Sequence, residues 1–295
     1  MPSLTATVFQ SLLGAVASRQ KLVDEQRLLA ATRPADDADP SRMGKGVVVE
    51  AREVEGRRVF TVRPRERPVR RHILYLHGGG YVNGPAFLHW WFIERLVKTF
   101  DASCVVPRYP LAPASRCDAS IAFVAGLYRG LVAEVGAENL VVMGDSAGGG
   151  LALSLLQNTG VRPAGLLLNA PWLDAGVSDP SQPEIERRDW LLNRFILRTW
   201  GQWWAGSRRL DDPVVSPLFG DLSILPHTLV FGGSRDILVA DGRRLAKAAP
   251  GKVEYVEESG LMHVYPLLPF FPETRRAWGK IRAFMDSTRA AAHIN

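Results

Sequence analysis

The chain has 295 residues, 46% of them hydrophobic and 22% charged, with a formal net charge of +6 at pH 7. That length accommodates one large α/β domain, or a domain with an insertion, around a sizeable core, and the composition excludes a disordered chain. Two cysteines, Cys104 and Cys117, exclude a disulfide framework and fit a reducing, cytoplasmic setting.

In chain order, Leu4, Val8, Leu12 and Val16 recur every fourth residue, which predicts one or two amphipathic helices within residues 1–32. Ala15-Val16-Ala17 resembles a cleavage site, but no positive residue precedes the apolar run, and the helix is the better reading. A polar linker follows from Arg33 to Pro40. Val47 to Val54 and Arg58 to Val62 read as paired strands around Glu55-Gly56. The basic run Arg63 to Arg71 carries two prolines and no interleaved aromatics, so it reads as a solvated turn rather than a nucleic-acid site. His72 to Leu76 is an apolar strand ending in His77-Gly78-Gly79-Gly80. Phe87 to Phe100 reads as a helix, and Ser103 to Val106 as a strand in which Cys104 packs in the core. Ile121 to Val135 reads as a helix, Leu140 to Met143 as a strand, Leu151 to Gln157 as a helix and Gly165 to Leu168 as a strand. Thr228 to Phe231 reads as a strand, Val239 to Ala248 as a helix, Val253 to Glu257 as the last strand and Arg275 to Thr288 as the closing helix. Apolar strands alternating with helices predict a mainly parallel sheet covered on both faces. No stretch is long and apolar enough to span a membrane.

The alternation lapses between Asp174 and Asp212, where polar turns lead into an aromatic run: Trp190, Phe195, Trp200, Trp203 and Trp204. Residues 175–211 are read as an insertion at the carboxyl edge of the sheet, above the site where open α/β sheets bind ligands. With residues 1–45 it is expected to form a cap over a catalytic domain of residues 46–174 and 212–295. Its aromatics either hold the cap to the core or line a pocket, and spacing does not choose between them. Tyr81, Trp190, Trp203 and Trp204 are the candidates for facing a substrate.

The chemistry centres on Val141-Val142-Met143-Gly144-Asp145-Ser146-Ala147-Gly148. A buried strand turning into a helix around G-x-S-x-G is the context of a nucleophile elbow, with small residues where the turn admits no side chain. A serine hydroxyl needs a base within hydrogen-bond reach, and a third group to orient that base. Of six histidines, His72, His89 and His227 lie in or at regular elements and His293 in the tail. His263 follows the last strand, at the edge where Ser146 emerges, and is the expected base, with an acid limb near the ordinary histidine value of about 6.5. Asp236 follows the preceding strand and is the favoured acid, with Asp174 as the competitor. Asp241 reads as a residue that caps or begins the next helix. The glycines after His77 and the N–H of Ala147 are the expected oxyanion donors.

His77-Gly78-Gly79-Gly80-Tyr81, Tyr109-Pro110-Leu111-Ala112-Pro113 and Gly144-Asp145-Ser146-Ala147-Gly148-Gly149 resemble the hormone-sensitive-lipase-like branch of the α/β-hydrolases. Asp212-Pro213, Ser216-Pro217-Leu218, Asp236-x-Leu238 and His263-Val264 continue the resemblance, which covers roughly residues 70–270. It implies an eight-stranded sheet with a helical cap, no cofactor or metal, and hydrolysis of small carboxylic esters with short or medium acyl chains. Ser146, Asp236 and His263 then match the triad; Gly79, Gly80 and Ala147 match the oxyanion hole; His77 steadies the glycine loop. Relatives of this kind often pair through the edge strand, so a homodimer through Val253 to Glu257 is an implied arrangement. Two departures stand out: Pro110 and Ala114 replace the usual arginine and glutamate, and Arg235-Asp236-Ile237-Leu238 replaces a common Asp-Pro-Leu. An amide or peptide hydrolase with the same triad is one alternative. A non-catalytic ligand receptor is another, and the presence of His263 weighs against it.

Overall fold

The computed structural model describes residues 2–17, 40 and 43–292. Eight strands form one sheet: β1 (Val47–Val54), β2 (Arg57–Pro64), β3 (Arg71–Leu76), β4 (Ala102–Pro107), β5 (Leu140–Asp145), β6 (Gly165–Asn169), β7 (Thr228–Gly233) and β8 (Val253–Glu258). Their order is β1-β2-β4-β3-β5-β6-β7-β8. β2 runs antiparallel to both its neighbours, and from β4 to β8 every pairing is parallel. Every position of β5, β6 and β7 is buried, as expected for strands covered on both faces.

Side chains alternate across a strand, and here that alternation divides the interior into two cores. Leu74, Val142, Leu166, Leu168 and Val230 face one core, with α3 (Cys117–Val135) and α4 (Ala147–Thr159). Ile73, Tyr75, Val141, Met143, Leu167, Leu229 and Phe231 face the other, with α2 (Phe87–Phe100) and α8 (Pro272–Ala292). α7 (Val239–Ala248) links β7 to the edge strand β8.

Local pattern placed the element centres better than their ends. α4 starts at Ala147, directly after the serine, rather than at the expected Leu151. Its glycine run reads as a loop by propensity, but packing requires it: a Cβ on Gly149 would meet Pro171, and one on Gly150 would meet the Trp172 backbone and the Tyr81 hydroxyl. α8 begins at Pro272 instead of Arg275, with proline at the first helical position, where an N–H would have no partner within the helix.

At the amino terminus, α1 (Leu4–Ala17) packs its first half on the start of α8. Ser3 Oγ donates to Glu273 Oε2 at 2.9 Å, the Phe9 and Phe271 rings meet edge to face at 5.6 Å, and Pro2 lies beside Gly260 on the histidine loop. The expected second amino-terminal helix and the linker up to Asp39 fall outside the described residues. Residues 175–211 carry α5 (Gln182–Glu186) and α6 (Arg194–Ala205). Asn193 caps α6 by accepting the Ile196 N–H at 2.8 Å. Residues 65–70 of the basic run form an exposed connection in which Arg67 and Arg70 pair with Asp101, while Arg63 and Pro64 end β2 and Arg71 opens β3. Cys104 and Cys117 are buried free thiols, and no helix among the described residues is long and apolar enough to cross a membrane.

Candidate active site

Ser146 sits between β5 and α4 with φ 53° and ψ −124°, a left-handed backbone that a serine adopts only where its surroundings enforce it. Its N–H donates to the Asn169 carbonyl at 2.9 Å, and its own carbonyl accepts from Trp172 at 2.9 Å and Gly149 at 3.0 Å. A Cβ on Gly144 would run into the Gly148 backbone, and one on Gly148 would run into the carbonyls of Leu76 and His77. Both small positions of the motif are therefore dictated by contact.

His263 and Asp236 converge on the serine from the loops after β8 and β7. The Ser146 hydroxyl lies 2.9 Å from His263 Nε2, and His263 Nδ1 lies 2.7 Å from Asp236 Oδ2. A carboxylate only accepts, so Nδ1 carries the proton and Nε2 is left to accept from the hydroxyl. Asp236 is fully buried and its other oxygen accepts the Leu238 N–H at 2.9 Å. Burial disfavours a charged imidazole ring, but the adjoining Asp236 carboxylate more than offsets it, and the His263 pKa stands above its ordinary 6.5.

The glycine loop is braced against the elbow by a buried network. Asp145 Oδ2 accepts the Gly78 N–H at 3.0 Å and lies 3.1 Å from His89 Nε2, while Tyr75 donates to Oδ1 at 2.6 Å. Ala86 N–H donates to His89 Nδ1 at 2.7 Å, so the His89 proton sits on Nε2, directed at Asp145. Burial opposes charge on Asp145, yet His89 and Tyr75 hold its pKa below the usual carboxylate value. His77 stacks on Tyr109 with ring centroids 4.3 Å apart, and its carbonyl accepts the Tyr109 hydroxyl at 2.6 Å. Burial, then His89, push the His77 pKa down to about 4, so the ring is a neutral packing element. Gly78 N–H is consumed by Asp145, whereas the N–H groups of Gly79, Gly80 and Ala147 have no acceptor among the described residues.

The other candidates separate cleanly. Asp174, the competing acid, binds Arg244 Nη1 and the Ser178 hydroxyl and has no bond to His263. Asp241 is the third residue of α7, but its carboxylate accepts from Leu173 and Asp174 at 2.8 and 2.9 Å instead of capping its own helix. Tyr81 and Trp204, expected to face a substrate, are 1% and 0% exposed and stack on each other with ring centroids 3.8 Å apart. They are packing between α6 and the glycine loop, because two flat apolar rings bury more surface against each other than against a water-filled pocket. Trp190 is half-buried with the Arg235 guanidinium 4.9 Å from its ring centre, and Trp203 is half-buried with its carbonyl bound to Arg116. Trp200, outside that expected set, is the aromatic against the glycine loop: a Cβ on Gly80 would collide with its ring. The roles of His89 and Tyr75 had no local signal, since each reads as an ordinary element residue, and the motif around Ser146 contained Asp145 without indicating what its carboxylate holds. Among the described residues, no group of three or more His, Cys, Asp or Glu side chains is arranged to hold a metal. His293 lies outside the described residues.

Residues 73–267 match the family model of the alpha/beta hydrolase fold. A triacylglycerol lipase of Mycobacterium tuberculosis is 32% identical over 198 residues, 65% of this chain but only 40% of that protein, so the chain spans less than half of that relative's length. An esterase of Acinetobacter venetianus is 30% identical over 225 residues, covering 73% of this chain and 74% of its own. A hormone-sensitive lipase from a metagenome library superposes with a TM-score of 0.78 at 26% identity, over 98% of this chain and 97% of that one. An eight-stranded, mostly parallel sheet with a serine elbow, matched along two thirds of its length by one family model, leaves one assignment: the chain belongs to the α/β-hydrolase family, on the hormone-sensitive-lipase-like branch of ester hydrolases.

Proposed function

We propose that the chain is a serine carboxylesterase acting on short- to medium-chain carboxylic esters through an acyl-enzyme. Ser146 Oγ attacks the ester carbonyl carbon while its proton passes to His263 Nε2. Asp236 holds the ring in that tautomer and balances the imidazolium. The carbonyl oxygen becomes an oxyanion and takes hydrogen bonds from the Gly79, Gly80 and Ala147 N–H groups, which are preorganised and need no rearrangement. The tetrahedral intermediate collapses, the ester C–O bond breaks, and His263 returns the proton to the departing alcohol. Water then repeats the sequence on the acyl-Ser146 bond and releases the acid. In this reading residues 175–211 and the amino-terminal helices form a cap over the cleft.

The observation that carries the reading is the hydrogen-bonded line Asp236–His263–Ser146, at 2.7 and 2.9 Å. Names of relatives, esterase and triacylglycerol lipase among them, support the ester class. The test is turnover of p-nitrophenyl esters of increasing acyl length by the parent and by Ser146→Ala. The expected result is stoichiometric block of the parent by an organophosphate, and at least about a thousandfold loss in the variant with folding intact. Substantial turnover by a folded Ser146→Ala protein would overturn the assignment.

A further inference from the structure

Both neighbours of the triad acid are held by the inserted segment. Asp189 Oδ2 accepts the Ile237 N–H at 2.8 Å, and Gln182 Nε2 donates to the Ile237 carbonyl at 3.4 Å. On the other side of Asp236, the Arg235 guanidinium lies over the Trp190 ring. The second oxygen of Asp189 accepts the Leu191 and Leu192 N–H groups at 2.8 and 3.0 Å. Three amide hydrogens thus converge on a carboxylate that is 6% exposed, the arrangement that makes a buried negative charge tolerable. A turn alone would need only the two local bonds; the third reaches 48 residues along the chain to the acid loop.

We propose that Asp189 is a positioning residue, fixing the loop that carries Asp236, so that the inserted segment is part of the scaffold of the triad and not only a cover above it. The inference rests on the serine-esterase reading given above. Asp189 also acts through its charge. Burial, then the nearby Asp236, push its pKa up to about 6, so it ionises as the pH enters the working range. Once charged it joins Asp236 and Asp145 in favouring protonated His263. The charged groups around it are Asp236, Arg235 and His263 on the two catalytic loops, and the Glu186–Arg194 pair on its own segment.

The experiment measures kcat and KM for p-nitrophenyl butyrate against pH in the parent and in Asp189→Asn, with thermal unfolding of each. Loss of the clamp is expected to lower kcat about tenfold while KM changes less than about twofold, because misplacing a catalytic group acts on the transition state. Loss of the charge is expected to move the acid limb of kcat/KM down by about half a pH unit. A purely structural role would lower the unfolding temperature and leave the limb where it was. Parental kcat and an unmoved limb in folded Asp189→Asn overturn the proposal. If that variant does not fold, Asp189→Glu retains the charge and moves the carboxylate by one methylene away from the Ile237 N–H; kcat should then fall with the limb unmoved, and parental kcat overturns the proposal. A parent without turnover, or a fully active Ser146→Ala, refutes the esterase reading and this inference with it. An active parent beside an unaltered Asp189→Asn refutes this inference alone.

Discussion

His263 works between opposed effects. Its burial penalises the charged ring, and Asp236 at 2.7 Å rewards it; the second effect wins and the pKa rises above 6.5. In the proposed mechanism only the neutral ring accepts the Ser146 proton, so activity is expected to grow as pH rises through that elevated value. The acid limb of kcat/KM is therefore expected above pH 6.5, higher than an unperturbed histidine would give, and a limb at or below that value would remove Asp236 as the dominant influence. The stability consequence has the opposite sense. A raised histidine pKa contributes stability below the unfolded value, and that contribution fades as pH rises through the folded one. The proposed base is thus in its proton-accepting form where it stabilises the fold least, a common cost of a preorganised site.

At the scale of elements, α6 and the glycine loop form one packed unit. Gly201 lets the helix approach the Ala175 backbone, where a Cβ would come within 2.6 Å of its carbonyl oxygen, and Trp204 stacks on Tyr81. Trp200 closes over Gly80, so the same helix also backs the glycine loop whose N–H groups are the proposed oxyanion donors. Trp204→Ala is expected to cost about 3–5 kcal/mol of unfolding free energy, as large buried aromatics do when truncated. Urea unfolding checks this, and a loss below about 1 kcal/mol would mean that α6 is held by other contacts. Activity should fall in the same variant, since Tyr81, the residue after Gly80, loses its stacking partner.

Across the whole molecule, Asp241 ties α7 to the segment after β6 from a fully buried position, with Oδ1 unpartnered. Burial, then Asp174, push its pKa up to about 8, so the folded protein holds it protonated at neutral pH. The sign follows by linkage: stability is full below the unfolded value of 3.8 and is lost as pH rises through about 8. Asp241→Asn keeps an oxygen for the Leu173 and Asp174 N–H groups and removes the ionisation. Melting temperatures between about pH 5 and 9 should decline in the parent and stay flatter in the variant; identical slopes would show that Asp241 does not ionise there. What the amino-acid order determined by itself was local: the alternation of strands and helices, the elbow at Ser146, and the loops bearing His77 and His263. Burial periodicity and glycine placement are properties of short windows, and a short window records them. Strand order already favoured Asp236 over Asp174, but the contact of Asp236 with His263, the stacking of Tyr81 on Trp204, the His89–Asp145 brace and the Asp189 clamp were decided only in three dimensions. Each joins residues far apart in the chain, 56 positions for His89 and Asp145 and 48 for Asp189 and Ile237. Whether two such groups meet depends on the path of the folded backbone between them, which no local pattern encodes.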